Sequence, residues 1–386
     1  MQKERAMARR SALVLCFVIS IFAALPTFAA DTIKIGAIFA VTGPAAPLGL
    51  PEARTLWMLV DQANAAGGVL GRQIELIIKD SQGSAEKAVS FAKQLVEENQ
   101  VLAIIGPTTT GESMALKGYA DQNEQILISC AAGATIVNPT AKWVFKTPQM
   151  DSFAAQAIFT TMKKLGLSRV GVVVSNTGFG QGGKAQLEKL APQNGVTVAI
   201  TEVYDSTATD LTAVLAKVQA QNVQAVVNWS VEPAQSLVPK NMKQMGFDVP
   251  LFQSHGFGNI AFVNAAGKAA DGIVFPAGRL LVADVLPAGH AQKAVLIAYK
   301  NAYETKFHED VSTFGGHAYD AFLILTEAIR AAGGTDKYKV RGAIEGLKGL
   351  VGTAGVFNFS PEDHNGLTMD SFEMLTVKNG QFALYR

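Results

Sequence analysis

Cysteine is almost missing from this chain: among 386 residues there are two, Cys16 and Cys130. Cys16 lies in an apolar N-terminal run, which leaves Cys130 alone and excludes an internal disulfide or a zinc–thiolate centre. Histidine is sparse too, at five. No two of His255, His290, His308, His317 and His364 have the spacing of metal ligands, so no metal is expected. Neither sign of charge is in excess, with 33 Lys+Arg against 32 Asp+Glu. A balanced surface gives no electrostatic footprint for nucleic acid, and none is expected as a partner. A Gly-x-Ser-x-Gly nucleophile turn, a low-complexity linker and a second membrane-length apolar run are all lacking.

What is present begins with a distinct N-terminus. Arg5, Arg9 and Arg10 form a basic front, followed by the apolar run from Ala12 to Phe28 and the small residues Ala29 and Ala30. Residues 1–29 therefore read as a secretory signal peptide, with Met7 as an alternative start to Met1. Its removal leaves 357 residues with 29 basic against 31 acidic side chains, a net charge of −2. That length suits two domains in a soluble exported protein.

Along the mature chain, apolar strand patterns alternate with helical ones, which calls for parallel sheets with helices on both faces. One series runs from Thr32 to Thr147. A second, similar in layout, starts near Asp151 and includes the valine-rich strand 169–175. The pattern then turns helical at 291–307 and 314–332 before short strands close the chain. The expected fold class is α/β, as two similar Rossmann-like, doubly wound lobes. Ligands of such lobes bind beyond the carboxyl ends of the strands.

The stretch Ile105-Gly-Pro-Thr108-Thr109-Thr110-Gly-Glu112-Ser113 stands out. A strand ending in Gly-Pro turns at once into a helix, whose first N–H groups have no partner within it. Thr109 and Glu112 have capping-box spacing. Three hydroxyls beside free amides suit a small anion such as a carboxylate, although capping alone also explains them. Gly178-Phe179-Gly180-Gln181-Gly182-Gly183 contains the Gly-x-Gly-x-x-Gly of a dinucleotide site, with Glu202 about 20 residues on. That points to a nicotinamide-dependent dehydrogenase as an alternative. In an exported chain it reads instead as glycines for close packing, so no cofactor and no enzyme activity are expected. His255 follows a strand and faces either the cleft or loop carbonyls. His317, inside a helix, reads as packing. Phe179, Trp229 and Phe314 stand at strand-to-helix edges as candidate ligand walls, and Asp151 reads as a helix cap.

Taken together, Thr42-Gly-Pro, Asn64-Ala-Ala-Gly-Gly-Val-Leu-Gly, Ile105-Gly-Pro and Ile128-Ser129-x-Ala131-Ala132 resemble the leucine/isoleucine/valine-binding group of periplasmic binding proteins, the solute receptors of ATP-driven importers. The resemblance spans nearly all of the mature chain. It implies two lobes joined by three crossovers, with lobe 1 as 30–150 plus 279–371 and lobe 2 as 151–278 plus 372–386, closing on ligand by a hinge motion. It implies a carboxylate held by Thr110, beside Thr109, and by the backbone of Ala131 and Ala132. Gly133 stands where a further hydroxyl is usual, and Asp151 keeps the acid of the first crossover. Phe179 replaces a tyrosine, Leu48 a tryptophan and Val231 an aromatic residue, which leaves Trp229 nearby. Phe314 is kept, and His255 takes the place of the glutamate that meets an ammonium. The family's small disulfide is absent. A small carboxylate ligand follows from this pattern, either an aromatic or keto acid or a branched-chain amino acid. A monomer delivering it to a membrane permease is expected, with a ligand-sensing receptor module of the same fold as the alternative.

Overall fold

The computed structural model describes residues 32–386; the signal peptide and the choice of start lie outside the described residues. The first sheet contains β1 (Ile33–Phe39), β2 (Ile74–Asp80), β3 (Ala103–Ile105), β4 (Ile126–Ser129) and β5 (Val144–Lys146) in the order β2-β1-β3-β4-β5, all parallel. Its strands read as near-continuous apolar runs because both faces are covered. Successive residues of a strand point to opposite faces, and the cores divide accordingly. Ala103, Ile105, Ile126 and Ile128 join α1 (Ala46–Ala65) in one core. Ile104 and Leu127 join α2 (Ala85–Lys93) and α3 (Thr110–Gln122) in the other.

The second lobe repeats this order. After α4 (Asp151–Lys164) come β6 (Arg169–Ser175), α5 (Gly178–Leu190), β7 (Thr197–Tyr204), α6 (Thr212–Gln219), β8 (Ala225–Trp229), α7 (Leu237–Gln244), β9 (Leu251–Gln253), α8 (Ile260–Ala266) and β10 (Val274–Ala277). The parallel part runs β7-β6-β8-β9-β10, the same 2-1-3-4-5 order as the first sheet. The chain then returns to the first lobe for α9 (Lys293–Phe307), α10 (Thr313–Ala332), α11 (Lys337–Gly346) and the hairpin of β11 (Leu350–Val351) and β12 (Val356–Phe357). It crosses back for β13 (Glu373–Lys378) and β14 (Gln381–Leu384), which pair antiparallel on the edge beside β10. The second sheet is therefore mixed, where strand–helix alternation alone predicts a parallel one.

Three crossovers join the lobes: after β5, after β10 and before β13. Two other differences from the sequence reading matter for the site. Helix α1 starts at Ala46 and runs through Pro51, six residues before Glu52, where the amphipathic pattern of the sequence begins. Helix α4 starts at Asp151 with Met150 at the N-cap position, so Asp151 is the first helical residue and not a cap.

Candidate functional site

In both lobes the strand order reverses at one point, between β1 and β3 and between β6 and β8. Loops at such switch points splay apart and leave a crevice. The residues after these four strands supply part of one interlobe cavity, Leu48, Thr108–Thr110, Phe179 and Val231, with Cys130, Ala131, Ala132, Pro148, His255, Gly256, Phe314 and His317 completing it. As the side chains stand, the space is about 30 Å³, room for roughly two waters. A ligand of amino-acid size therefore needs the lobes to part and the walls to reset. Interlobe bonds hold this closed arrangement. The Thr313 amide donates to Gly258 O at 3.0 Å, and Asn259 Nδ2 donates to Pro47 O at 2.7 Å.

Hydrogen bonding distinguishes the three threonines. Gly106, at φ +96°, takes a conformation that L side chains rarely adopt, and a Cβ there would sit 2.2 Å from Ile38 O; glycine is required for this sharp turn. Thr108 Oγ1 accepts from the Ala40 amide at 3.0 Å and donates to the buried Glu52 carboxyl. Thr109 caps α3 in a full capping box, its hydroxyl donating to Glu112 Oε2 at 2.7 Å. Thr110 Oγ1 only accepts, from the Gly133 amide at 3.3 Å. Among the described residues, its hydroxyl proton is the one of the three left without a protein acceptor. The Thr110 and Gly111 amides open the helix and are free for the same reason as in any first turn. Gly133 lies behind Thr110, where a Cβ would meet Thr110 Cγ2 at 2.4 Å. Ser113 and Ser129 bond to each other at 2.8 Å, and Ser129 Oγ also accepts from the Ala131 amide.

Aromatic rings from both lobes complete the lining. Phe179 packs edge-on to His255, ring centroids 5.3 Å apart, and Phe314 lies 6.3 Å from His317. Trp229 does not reach the cavity. It is fully buried behind Phe179 and His255, at 5.8 and 5.6 Å, against Gly183, where a Cβ would meet its ring at 2.2 Å. The glycine turn is thus packing: Gly180 clears Ser175 O, and Gly183 clears Trp229. The position of Trp229 at a strand end suggests a ligand wall; its large ring is instead drawn into the lobe core.

Four ionisable groups meet here; of these, Lys146 goes unread in the sequence and His317 reads there as packing. His317 lines the cavity and is more than packing, with Nδ1 unpartnered. Lys146, fully buried at the end of β5, donates to Pro148 O at 2.6 Å and Gln149 O at 3.2 Å, tying down the first crossover. Asp151 is fully buried behind the cavity wall. Its Oδ2 accepts from the Ala134 amide at 3.4 Å, and its Oδ1 stands 3.6 Å from His255 Nε2, beyond hydrogen-bond reach. Burial pushes the Asp151 carboxyl up to about 7 against the pull of Lys146, and pushes the Lys146 ammonium down to about 7 against the pull of Asp151. Burial and then the Lys146 charge hold His255 well below its ordinary range and His317 at about 3. Both imidazoles are neutral, so His255 and Asp151 are not an ion pair. Among the described residues no loop carbonyl satisfies His255, and both its ring nitrogens lack a partner. Cys130 is a free, buried thiol.

Comparison with known proteins places this arrangement. A sequence model of the family described as "Periplasmic binding protein" matches residues 32–381. The chain belongs to that family. Within it, this periplasmic binding protein falls in the leucine/isoleucine/valine-binding group. It is 26% identical over 322 residues to the leucine-, isoleucine-, valine-, threonine- and alanine-binding protein of Pseudomonas aeruginosa, covering 82% of this chain and 83% of the relative. An extracellular ligand-binding receptor from Rhodopseudomonas palustris HaA2 shares its structure at TM-score 0.87 and 27% identity, over 92% of this chain and 100% of that one. A branched-chain amino acid transporter substrate-binding protein from Streptococcus pneumoniae, in complex with isoleucine, matches at TM-score 0.80 and 26% identity, over 91% and 98% of the two chains. The family consists of solute-binding proteins, not enzymes.

Proposed function

We propose that this periplasmic binding protein captures a small apolar or aromatic carboxylate, an aromatic or keto acid, in the periplasm and delivers it to the permease of an ATP-driven importer. The lobe boundaries at 150, 278 and 371, export through residues 1–29 and a monomeric state belong to the same proposal. The observation that carries it is the uncommitted Thr110 hydroxyl at the start of α3, facing a cavity whose lining holds no acidic side chain. A carboxylate there accepts from Thr110, from the first-turn amides and from the Ala131–Ala132 backbone, and it gains from the helix dipole. An ammonium finds no such reception. Burying it without an ionised partner costs several kcal/mol, and burial raises the Asp151 carboxyl behind the wall to about 7, so it is only partly ionised at neutral pH.

A second reading is a branched-chain amino acid. The binding of amino acids by named relatives favours it, as does the unpartnered Asp151 Oδ1; ammonium binding would then draw the proton off Asp151. Thr110→Val tests the carboxylate role common to both readings. Calorimetry on the refolded variant should show a loss of roughly 1.5–3 kcal/mol in affinity for benzoate or for whichever carboxylate binds. Unchanged affinity would remove Thr110 from the site.

A further inference from the structure

We infer that the cavity also reads an uncharged oxygen function on its ligand, through His255 and His317, and so selects hydroxy- or oxo-substituted carboxylates over the plain acid. This deepens the carboxylate reading above and rests on it. The two imidazoles line the same cavity and are 7% and 6% exposed. His255 Nδ1 and Nε2 and His317 Nδ1 have no hydrogen-bond partner among the described residues. Buried polar atoms without partners are costly, and these three belong to side chains that the fold holds firmly. His255 stands on the turn after β9, with the rings of Phe179, Trp229 and Phe372 edge-on to it at 5.3–5.6 Å. His317 sits one turn into α10, beside Phe314.

Neither ring is charged at neutral pH, so each offers one donor and one acceptor. A ligand hydroxyl answers both kinds of site, and a keto oxygen answers a donor. An ammonium is the poorer fit, because a neutral imidazole supplies it no negative charge. Asp151 and Lys146 are the other ionisable groups around the rings, and each is engaged at least once by backbone, from Ala134 and to Pro148 and Gln149. The imidazoles come from opposite lobes, His255 from the second and His317 from the first. An oxygen bonded to both therefore ties the lobes together and favours the closed state.

The test is a ligand series on wild-type protein refolded to remove carried-over solute, read by calorimetry. The series comprises benzoate, 3- and 4-hydroxybenzoate, 3- and 4-methylbenzoate, 4-methyl-2-oxopentanoate, 4-methylpentanoate and leucine. At least one hydroxy or oxo acid should bind about fivefold or more tightly than its methyl or deoxy counterpart, the worth of one ordinary hydrogen bond. His317→Phe should bring the two affinities of that pair towards equality, read as their ratio within the same variant. If the variant does not fold, the wild-type series decides by itself. Benzoate binding as tightly as every hydroxybenzoate, with 4-methylpentanoate equal to its oxo acid, would overturn this inference and leave the carboxylate reading intact. Leucine binding with none of the acids would overturn both.

Discussion

Residues that look alike in sequence are separated by what their hydrogen bonds leave over. Thr108, Thr109 and Thr110 are consecutive, yet Glu52 and Ala40 engage the first and Glu112 the second, leaving the proton of the third free. The capping role of Thr109 was legible, because its partner is three residues away. The roles of His317 and Lys146 were not, because what makes them unusual is burial beside Asp151 and His255, contributed by distant segments. Those burials carry opposite pH signatures. His317 titrates at about 3 in the fold and near 6.5 when unfolded. Between those values the unfolded chain takes up a proton that the fold refuses, so stability falls with falling pH by up to roughly 1.4 kcal/mol per unit. Asp151 is raised to about 7 from an unfolded value near 4, so its contribution grows more favourable as pH falls through that window. Denaturation of wild type against His317→Gln should therefore show the wild type losing relative stability from pH 6.5 downward. Against Asp151→Asn it should gain from pH 7 downward. Parallel curves for both variants would contradict the buried, perturbed state of these groups.

At the scale of elements, the alternation of strand and helix was readable because doubly covered strands such as Ile126–Ser129 are continuous apolar runs. What escaped was set by tertiary contact. β13 and β14 read as short strands, but their antiparallel pairing at the sheet edge depends on the chain's third crossing. Trp229 looked like a wall because it ends a strand, whereas the glycine at 183 opens a slot that draws its ring inward. That slot predicts a contrast between two helical glycines. Gly183→Ala drives a methyl into the buried Trp229 ring and should destabilise by roughly 1–3 kcal/mol in denaturant unfolding. Gly118→Ala, in α3 with no atom within 4 Å of its added Cβ, should stabilise by up to about 1 kcal/mol. Similar effects at both positions would show that the turn is not made for packing.

For the whole molecule, closure is written into one helix. Pro51 has no N–H to give the Pro47 carbonyl one turn earlier, and that carbonyl accepts instead from Asn259 Nδ2 of the other lobe at 2.7 Å. Asn259 also caps α8. Asn259→Ser therefore keeps a capping oxygen while losing the reach across the cleft. The variant should keep wild-type stability within about 0.5 kcal/mol and bind ligand more weakly, by roughly 0.5–1.5 kcal/mol, although residue 259 lies outside the cavity lining. Unaltered affinity would mean that this bond does not favour the closed state. The opening seen in sequence, a strand running through Gly-Pro into a threonine-rich helix start, thus becomes part of the lining of an interlobe cavity that also holds a neutral histidine. The central claim, a site for carboxylates without an ammonium, is tested most directly by a thermal-shift screen of protein unfolded and refolded to strip bound solute. Benzoate-type or keto acids should raise the melting temperature, and leucine, isoleucine and valine should leave it unmoved. Stabilisation by leucine or valine, with none from the acids, would contradict it.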